Sequence, residues 1–287
     1  MTQTLHIRTI GIAGLGLIGA SMAKAVRNNL DCMIYADDIQ DTVLYQARED
    51  RLIDGLLRTS HLAECDLVFL ALYPSDAVNW LDAHARQLKR GCLVIDCCGV
   101  KRSVAQPLQT ICEREQLCYI GGHPMAGREF SGYAASETHL FDGAYMILVS
   151  PPEAMTEALR AFFCSIGFKD LQITTAEEHD RIIAYTSQLA HLVSSAYIKS
   201  PTAQEHLGFS AGSFRSMTRV AYLNERMWTE LFLDNRDYLA EEIRLLRAHL
   251  KEYEDCIRSG DAQTLNRLLK EGRERKEKSE EALSHES

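Results

Sequence analysis

The stretch GGHPMAGREFSG, residues 121–132, sets His123 between Gly122 and Pro124 and follows it with Arg128 and Glu129. An imidazole changes protonation near neutral pH, so His123 could accept or orient the proton of a hydroxyl; the plainer alternative is a turn residue ahead of a proline. Gly121, Gly122 and Gly127 leave the backbone free to approach a ligand closely. A second constellation is GLGLIG, residues 14–19, which follows the strand-like RTIGIA and opens the helix-like SMAKAVRNN. Gly14 permits a tight turn, Gly16 lets the backbone approach a pyrophosphate, and Gly19 lets helix and strand pack closely. The free N–H groups at the helix start, around Leu17 and Ile18, attract phosphates. The next strand ends in YADD, placing Asp37 where a carboxylate accepts hydrogen bonds from a ribose and repels a 2′-phosphate. Asp38 strengthens that bias, so the cofactor expected is NAD rather than NADP.

The elements that must position these groups alternate over the first 175 residues. RTIGIAG, CMIYADD, DLVFLAL, GCLVIDCC and LCYIGG read as strands, with SMAKAVRNN, SDAVNWLDAHARQL and SVAQPLQTICERE as helices between them. That rhythm predicts an α/β fold, a Rossmann-type doubly wound parallel sheet, with AYMILVS as an antiparallel addition. Ligands bind beyond the carboxyl ends of such strands. The glycine turn, Asp37, Tyr73 and Pro74, residues 96–101 and residues 121–129 should therefore surround one crevice.

From Thr175 the pattern becomes helical only, which divides the chain into a dinucleotide-binding domain, 1–175, and an all-helical domain, 176–287. Residues 177–199 carry Ile182, Tyr185, Leu189, Leu192 and Ala196 on an apolar face, and Asp180, Ala184, Ser187, His191 and Ser195 on a polar one. Asp180 either caps this helix or ties the two domains together. Residues 224–258 read as one amphipathic helix of about 35 residues and about 50 Å, stopped at Gly260. That length outruns one small domain, so the C-terminal helices are expected to form a homodimer. The tail after Gly272 reads as a solvated helix end.

A chain of 287 residues with 46% hydrophobic and 25% charged residues can bury a full core. Its net charge of −9 argues against a nucleic-acid partner. No apolar run approaches the ~20 residues of a membrane helix and no export signal precedes the first strand, so no membrane partner is expected. The 9 cysteines are scattered through apolar runs without metal-type spacing, which fits reduced thiols, no metal and a cytoplasmic location. Cys97 and Cys98 read as packing residues.

GLGLIGAS, DCCGVK at 96–101, GGHPMAGREFSG, LFDGAY at 140–145, HDRIIAYTSQLAH at 179–191 and FRSMTRVA at 214–221 together resemble the ordered motif set of prephenate dehydrogenases, over nearly the whole chain. The resemblance implies NAD-dependent oxidative decarboxylation of prephenate to 4-hydroxyphenylpyruvate, in tyrosine biosynthesis, by a protein with a helical dimerisation domain. It implies that His123 is the catalytic histidine, His191 a substrate-side histidine, Arg219 the holder of a substrate carboxylate, and Glu129 an acid coupled to Arg219. A guanidinium, planar and permanently charged, suits that carboxylate. The sequence departs from the family at Gly99, where many members have a serine that positions the substrate hydroxyl, and at Ser216, where many have an aspartate. Lys101 is either a surface residue or a contact to substrate or cofactor, and Arg215 faces solvent. Arg128 is expected to favour prephenate over arogenate by repelling the ammonium of the latter. The alternatives are an arogenate dehydrogenase and a catalytically silent NAD-binding sensor; the presence of His123, His191 and Arg219 counts against the sensor. The length leaves no room for a fused chorismate mutase or regulatory domain.

Overall fold

The computed structural model describes residues 5–284; the last 3 residues of the expected charged tail, 285–287, lie outside them. Eight strands form one sheet: β1 (Thr9–Ala13), β2 (Met33–Asp37), β3 (Gly55–Leu56), β4 (Leu67–Leu70), β5 (Leu93–Asp96), β6 (Cys118–Pro124), β7 (Tyr145–Val149) and β8 (Asp170–Thr174). Their order is β3-β2-β1-β4-β5-β6-β7-β8, parallel throughout except that β7 runs antiparallel to β6. β1 feeds β2 on one side and has β4 on the other, which opens the crevice at its carboxyl end. The two-residue β3 and the edge strand β8 were not expected from the sequence.

The helices of the βα units are α1 (Leu17–Asn29), α2 (Asp41–Glu49), α3 (Thr59–Leu62), α4 (Pro74–His84), α5 (Arg102–Arg114) and α6 (Glu153–Ser165). Every residue of β4 and β5 is buried, because helices cover both faces of the sheet. Phe69 and Ile95 pack with Met22 and Val26 of α1 and Phe163 of α6, while Val68, Leu70 and Val94 pack with Leu81 of α4 and Leu108 of α5. The alternation along each strand assigns its side chains to the two layers.

By internal contacts the chain resolves into two compact units, Met1–Arg236 and Asp237–Ser287. The helical part of the first holds α7 (Ala176–Ile183), a π-helical segment (Ala184–Leu189), α8 (Ala190–Tyr197), α9 (Gly212–Thr218) and α10 (Glu225–Asp234). Thr175 caps α7, its Oγ1 accepting the Glu178 amide at 3.2 Å. Within the second unit, α11 (Arg236–Ser259) turns at Gly260, φ +70°, into α12 (Ala262–Ser284). The Tyr253 hydroxyl donates to the Leu268 carbonyl at 3.3 Å and holds the two helices together.

Two expectations are corrected here. The single helix expected over 224–258 is interrupted at Asn235, whose backbone leaves the helical region at φ −115°, ψ 27°. Its buried side-chain amide donates to the Asp180 carbonyl and to Gln188 Oε1, both at 2.8 Å, and those bonds need an orientation that a continuous helix would not give. The expected apolar face of 177–199 is also wrong. Ile182 and Tyr185 are exposed, and the buried face carries His179, Asp180, Ile183, Ala184, Gln188 and Leu189. The buried positions 179, 180, 183 and 184 keep ordinary helical spacing but lie about one residue out of phase with the expected stripe, and a π-helical segment follows over Ala184–Leu189.

One buried ion pair locks the sheet beside the crevice. Lys101 and Asp96 are fully buried and paired, and Lys101 Nζ also donates to the Gly122 carbonyl at 2.6 Å. Asp96 Oδ1 accepts from the Tyr119 hydroxyl at 2.8 Å and the Gly122 amide at 3.2 Å, so the pair binds the end of β5 to β6 one residue before His123. Lys101, expected at the surface or on a ligand, is in neither place: its ammonium faces Asp96. Removing one partner of such a pair leaves a buried charge uncompensated. Lys101→Ala should therefore lose about 3–5 kcal/mol of stability in a urea titration; an unchanged midpoint would contradict the internal role.

Candidate active site

The nucleotide half is built at the end of β1. Gly14 has φ +89°, and a Cβ there would lie 2.5 Å from the Ala71 carbonyl oxygen; a Cβ on Gly19 would meet the Gly14 oxygen at 1.9 Å. At Gly16 nothing lies within 4 Å of an added Cβ, so the cradle is open on the ligand side. The first turn of α1, with Leu17 and Ile18, has neither a side-chain cap nor an acidic residue, which leaves its amides available to phosphate. Asp37 closes the turn by accepting the Gly14 amide on its backbone oxygen at 2.8 Å. Asp38 instead serves the turn itself, accepting the Leu15 amide at 2.8 Å and the Gln40 amide at 2.9 Å. Tyr73 and buried Pro74 begin α4 at the end of β4, with the Arg226 guanidinium 5.2 Å over the Tyr73 ring. These residues fit a dinucleotide: an open glycine cradle, free helix amides and an acid at the second strand.

The acid–base half is a chain of three side chains. His123 Nδ1 lies 2.9 Å from His179 Nε2, and His179 Nδ1 lies 2.7 Å from Asp180 Oδ1. Asp180 is fully buried, yet its carboxylate accepts the Lys101 amide at 2.8 Å, the Arg102 amide at 2.9 Å and Arg102 Nε at 3.4 Å. Burial alone would raise its carboxyl pKa; the bonds from His179 and from the Arg102 and Lys101 amides outweigh that and hold it below the ordinary value. An ionised Asp180 must receive the Nδ1 proton of His179. His179 Nε2 is then bare and must receive the Nδ1 proton of His123. The Nε2 of His123 is left as an unprotonated acceptor. Burial, then the neighbouring His179 and Lys101, push the His123 pKa well below the histidine value, so it is neutral and ready to accept a proton at pH 7.

The expected substrate half is assembled in part. Glu129 pairs with Arg219, and that bond, above all, keeps the Glu129 carboxyl below its ordinary pKa. His191 Nδ1 meets the Ser187 carbonyl at 2.8 Å and its ring lies 4.2 Å from that of Trp228. Burial lowers its pKa, against the Ser187 bond and with the help of Arg219. Arg128, expected to face the substrate, pairs with Glu137, both side chains being partly exposed. Gly99 requires no glycine conformation, and a Cβ there would touch only the Leu231 side chain at 3.4 Å. Ser216 and Arg215 are exposed on α9.

His179 was not foreseen as a site residue. Its signals were its place at the head of the HDRIIAYTSQLAH motif and directly before an aspartate near the start of a helix, at a position the helical pattern left unassigned. Asp180 does not cap its own helix, which Thr175 caps; it holds the start of α5 instead.

Residues 22–164 match the family described as "Prephenate dehydrogenase, nucleotide-binding domain", and residues 175–271 match "Prephenate dehydrogenase, dimerization domain". The chain belongs to the prephenate dehydrogenase family. Within it, the chain is 32% identical to the cyclohexadienyl dehydrogenase of Zymomonas mobilis over 285 residues, covering 94% of each protein. It is 30% identical to the prephenate dehydrogenase of Lactococcus lactis over 277 residues, 93% of this chain and 76% of that protein. The fold matches the solved prephenate dehydrogenase from A. aeolicus in complex with hydroxyphenyl propionate and NAD+, with a TM-score of 0.83 at 24% identity, over 96% of this chain and 99% of that one.

A depressed His123 pKa sets the pH profile. The base is lost only on protonation, so kcat should stay level as the pH falls through the ordinary histidine range and decline below it. His179→Ala removes a repelling imidazole and opens the site to water, which moves the acid limb up toward that range and lowers kcat about a hundredfold. An unmoved acid limb in this variant would contradict the coupling of the two rings.

Proposed function

We propose that the enzyme carries out NAD-dependent oxidative decarboxylation of prephenate to 4-hydroxyphenylpyruvate. The observation that carries this reading is the His123–His179–Asp180 chain, whose hydrogen-bond pattern leaves Nε2 of His123 bare on β6, in the same sheet as the glycine turn. Prephenate carries a ring hydroxyl on the carbon that must lose hydride. His123 Nε2 takes the hydroxyl proton, the ring being held in that tautomer through His179 by the Asp180 carboxylate. NAD, when bound at the glycine turn, accepts the hydride from that carbon. The bond to the ring carboxylate breaks, carbon dioxide leaves, and the electron pair released completes the aromatic ring, whose oxygen regains a proton. Arg219, oriented by Glu129, holds a substrate carboxylate, and His191 lies close enough for the Arg219 charge to bear on its pKa.

A second reading, in which arogenate is also turned over, is favoured by one observation. With Arg128 paired to Glu137, the repulsion that its guanidinium would offer an α-ammonium group is weakened. The test follows NADH formation by absorbance with prephenate and arogenate, each with NAD and NADP. No turnover of either substrate by the pure protein would overturn the function.

We also infer a functional boundary at Thr175, where the last strand gives way to helices, and a cytoplasmic location, in keeping with nine free cysteines. No described helix is long and apolar enough to cross a membrane, and no described group of His, Cys, Asp or Glu could hold a metal ion. A homodimer formed by the helical region would cover side chains that this chain leaves bare, among them Leu207, Phe209 and Tyr222, each at least 80% exposed. Sedimentation at low micromolar concentration should give twice the chain mass; a monomer would contradict it. Arg219→Ala should raise KM for prephenate by about tenfold to a hundredfold with a smaller change in kcat, because the contact is present in ground and transition states alike. An unchanged KM would place the carboxylate elsewhere.

A further inference from the structure

The two oxygens of the Asp37 carboxylate are not equivalent. Oδ2 accepts the indole N–H of Trp80 at 2.9 Å, while Oδ1 has no partner among the described residues. The main chain of Asp37 is already fixed, since its carbonyl accepts the Gly14 amide at 2.8 Å. The indole therefore fixes the one remaining freedom, the rotation of the carboxylate. Trp80 reaches Asp37 from α4, the crossover after β4, and is itself braced. Its ring stacks on His84 at 4.5 Å and 23°, and its carbonyl meets His84 Nδ1 at 2.7 Å.

We infer that Trp80 is a positioning residue for cofactor choice: its N–H holds Asp37 with Oδ1 turned to the ribose hydroxyls of NAD. The inference rests on the dinucleotide reading of the glycine turn. An indole N–H suits this task because it donates and carries no charge. It aligns the carboxylate without cancelling the negative charge that repels a 2′-phosphate. A guanidinium in the same place would align Asp37 equally well and remove that repulsion, admitting NADP. Asp38 cannot take over, because both of its oxygens are engaged by backbone amides. An unheld Asp37 would have to be ordered by each incoming cofactor, at a cost in affinity paid on NAD alone.

Calorimetric titration of the full chain with NAD and with NADP tests this in four proteins: wild type, Trp80→Phe, Asp37→Ala and the double variant. Phenylalanine keeps a ring against His84 and lacks the N–H. Trp80→Phe should weaken NAD about tenfold, the scale of one hydrogen bond to a charged acceptor, and leave NADP unchanged. With saturating NAD, kcat and the KM for prephenate should stay at wild-type values. In the Asp37→Ala background the same change should alter NAD affinity by less than about twofold, since the acceptor is already gone. Trp80→Arg provides a second variant should phenylalanine pack poorly, and it should tighten NADP. The inference is overturned if Trp80→Phe leaves NAD affinity intact, weakens both dinucleotides alike, or has its full effect without Asp37. A wild type that binds neither dinucleotide overturns the cofactor reading itself, and this inference with it.

Discussion

The Asp180 carboxylate is the interaction on which the rest of the site depends. It is fully buried, and it stays ionised because the Lys101 and Arg102 amides, the His179 ring and the Arg102 guanidinium donate to it from several sides. One of its oxygens serves both the first amide of the α5 region and the His179 ring, so the same anion that starts a helix also decides where two protons sit. Its backbone carbonyl takes the Asn235 amide, and Arg102, which donates to it, also reaches Asn235 Oδ1 at 3.0 Å. The end of α10, the start of α5 and the His179 ring that meets His123 are therefore held by one residue.

That dependence explains the order of the elements. The sheet supplies His123 from β6, rigidly, since its neighbour Gly122 is packed so closely that an added Cβ would lie 2.5 Å from the Asp96 carbonyl oxygen. The helical region supplies His179 and Asp180 from α7 and, beyond the π-helical segment, His191 from α8.

Much of this was legible in the sequence. The glycine turn, Asp37 and the alternation of apolar strands with helices fixed the sheet and the crevice, because each rests on local periodicity or on a conformation that only glycine adopts. His123 stood out through its neighbours. The relay did not, because His179 acquires meaning only when the crossover places it 2.9 Å from His123, a contact between residues 56 apart in the chain. The buried Lys101 misled for the same reason: a lysine after a strand looks exposed until its partner Asp96 is found beneath it. The break at Asn235 left no mark in the amphipathic pattern, since its cause is a set of hydrogen bonds from distant residues rather than a proline or glycine. Arg128 read as a free cation because Glu137 lies beyond the reach of any helical spacing rule.

The central claim is that Asp180, acting through His179, leaves His123 neutral with its proton on Nδ1 and its Nε2 bare. Two-bond nitrogen–proton NMR correlation of the histidine-labelled protein near neutral pH reads this directly, with His123→Ala and His179→Ala used to assign the rings. The account predicts a neutral His123 whose Nδ1 is protonated, and the same tautomer for His179. A protonated Nε2 on His123, or an imidazolium there at that pH, would contradict it.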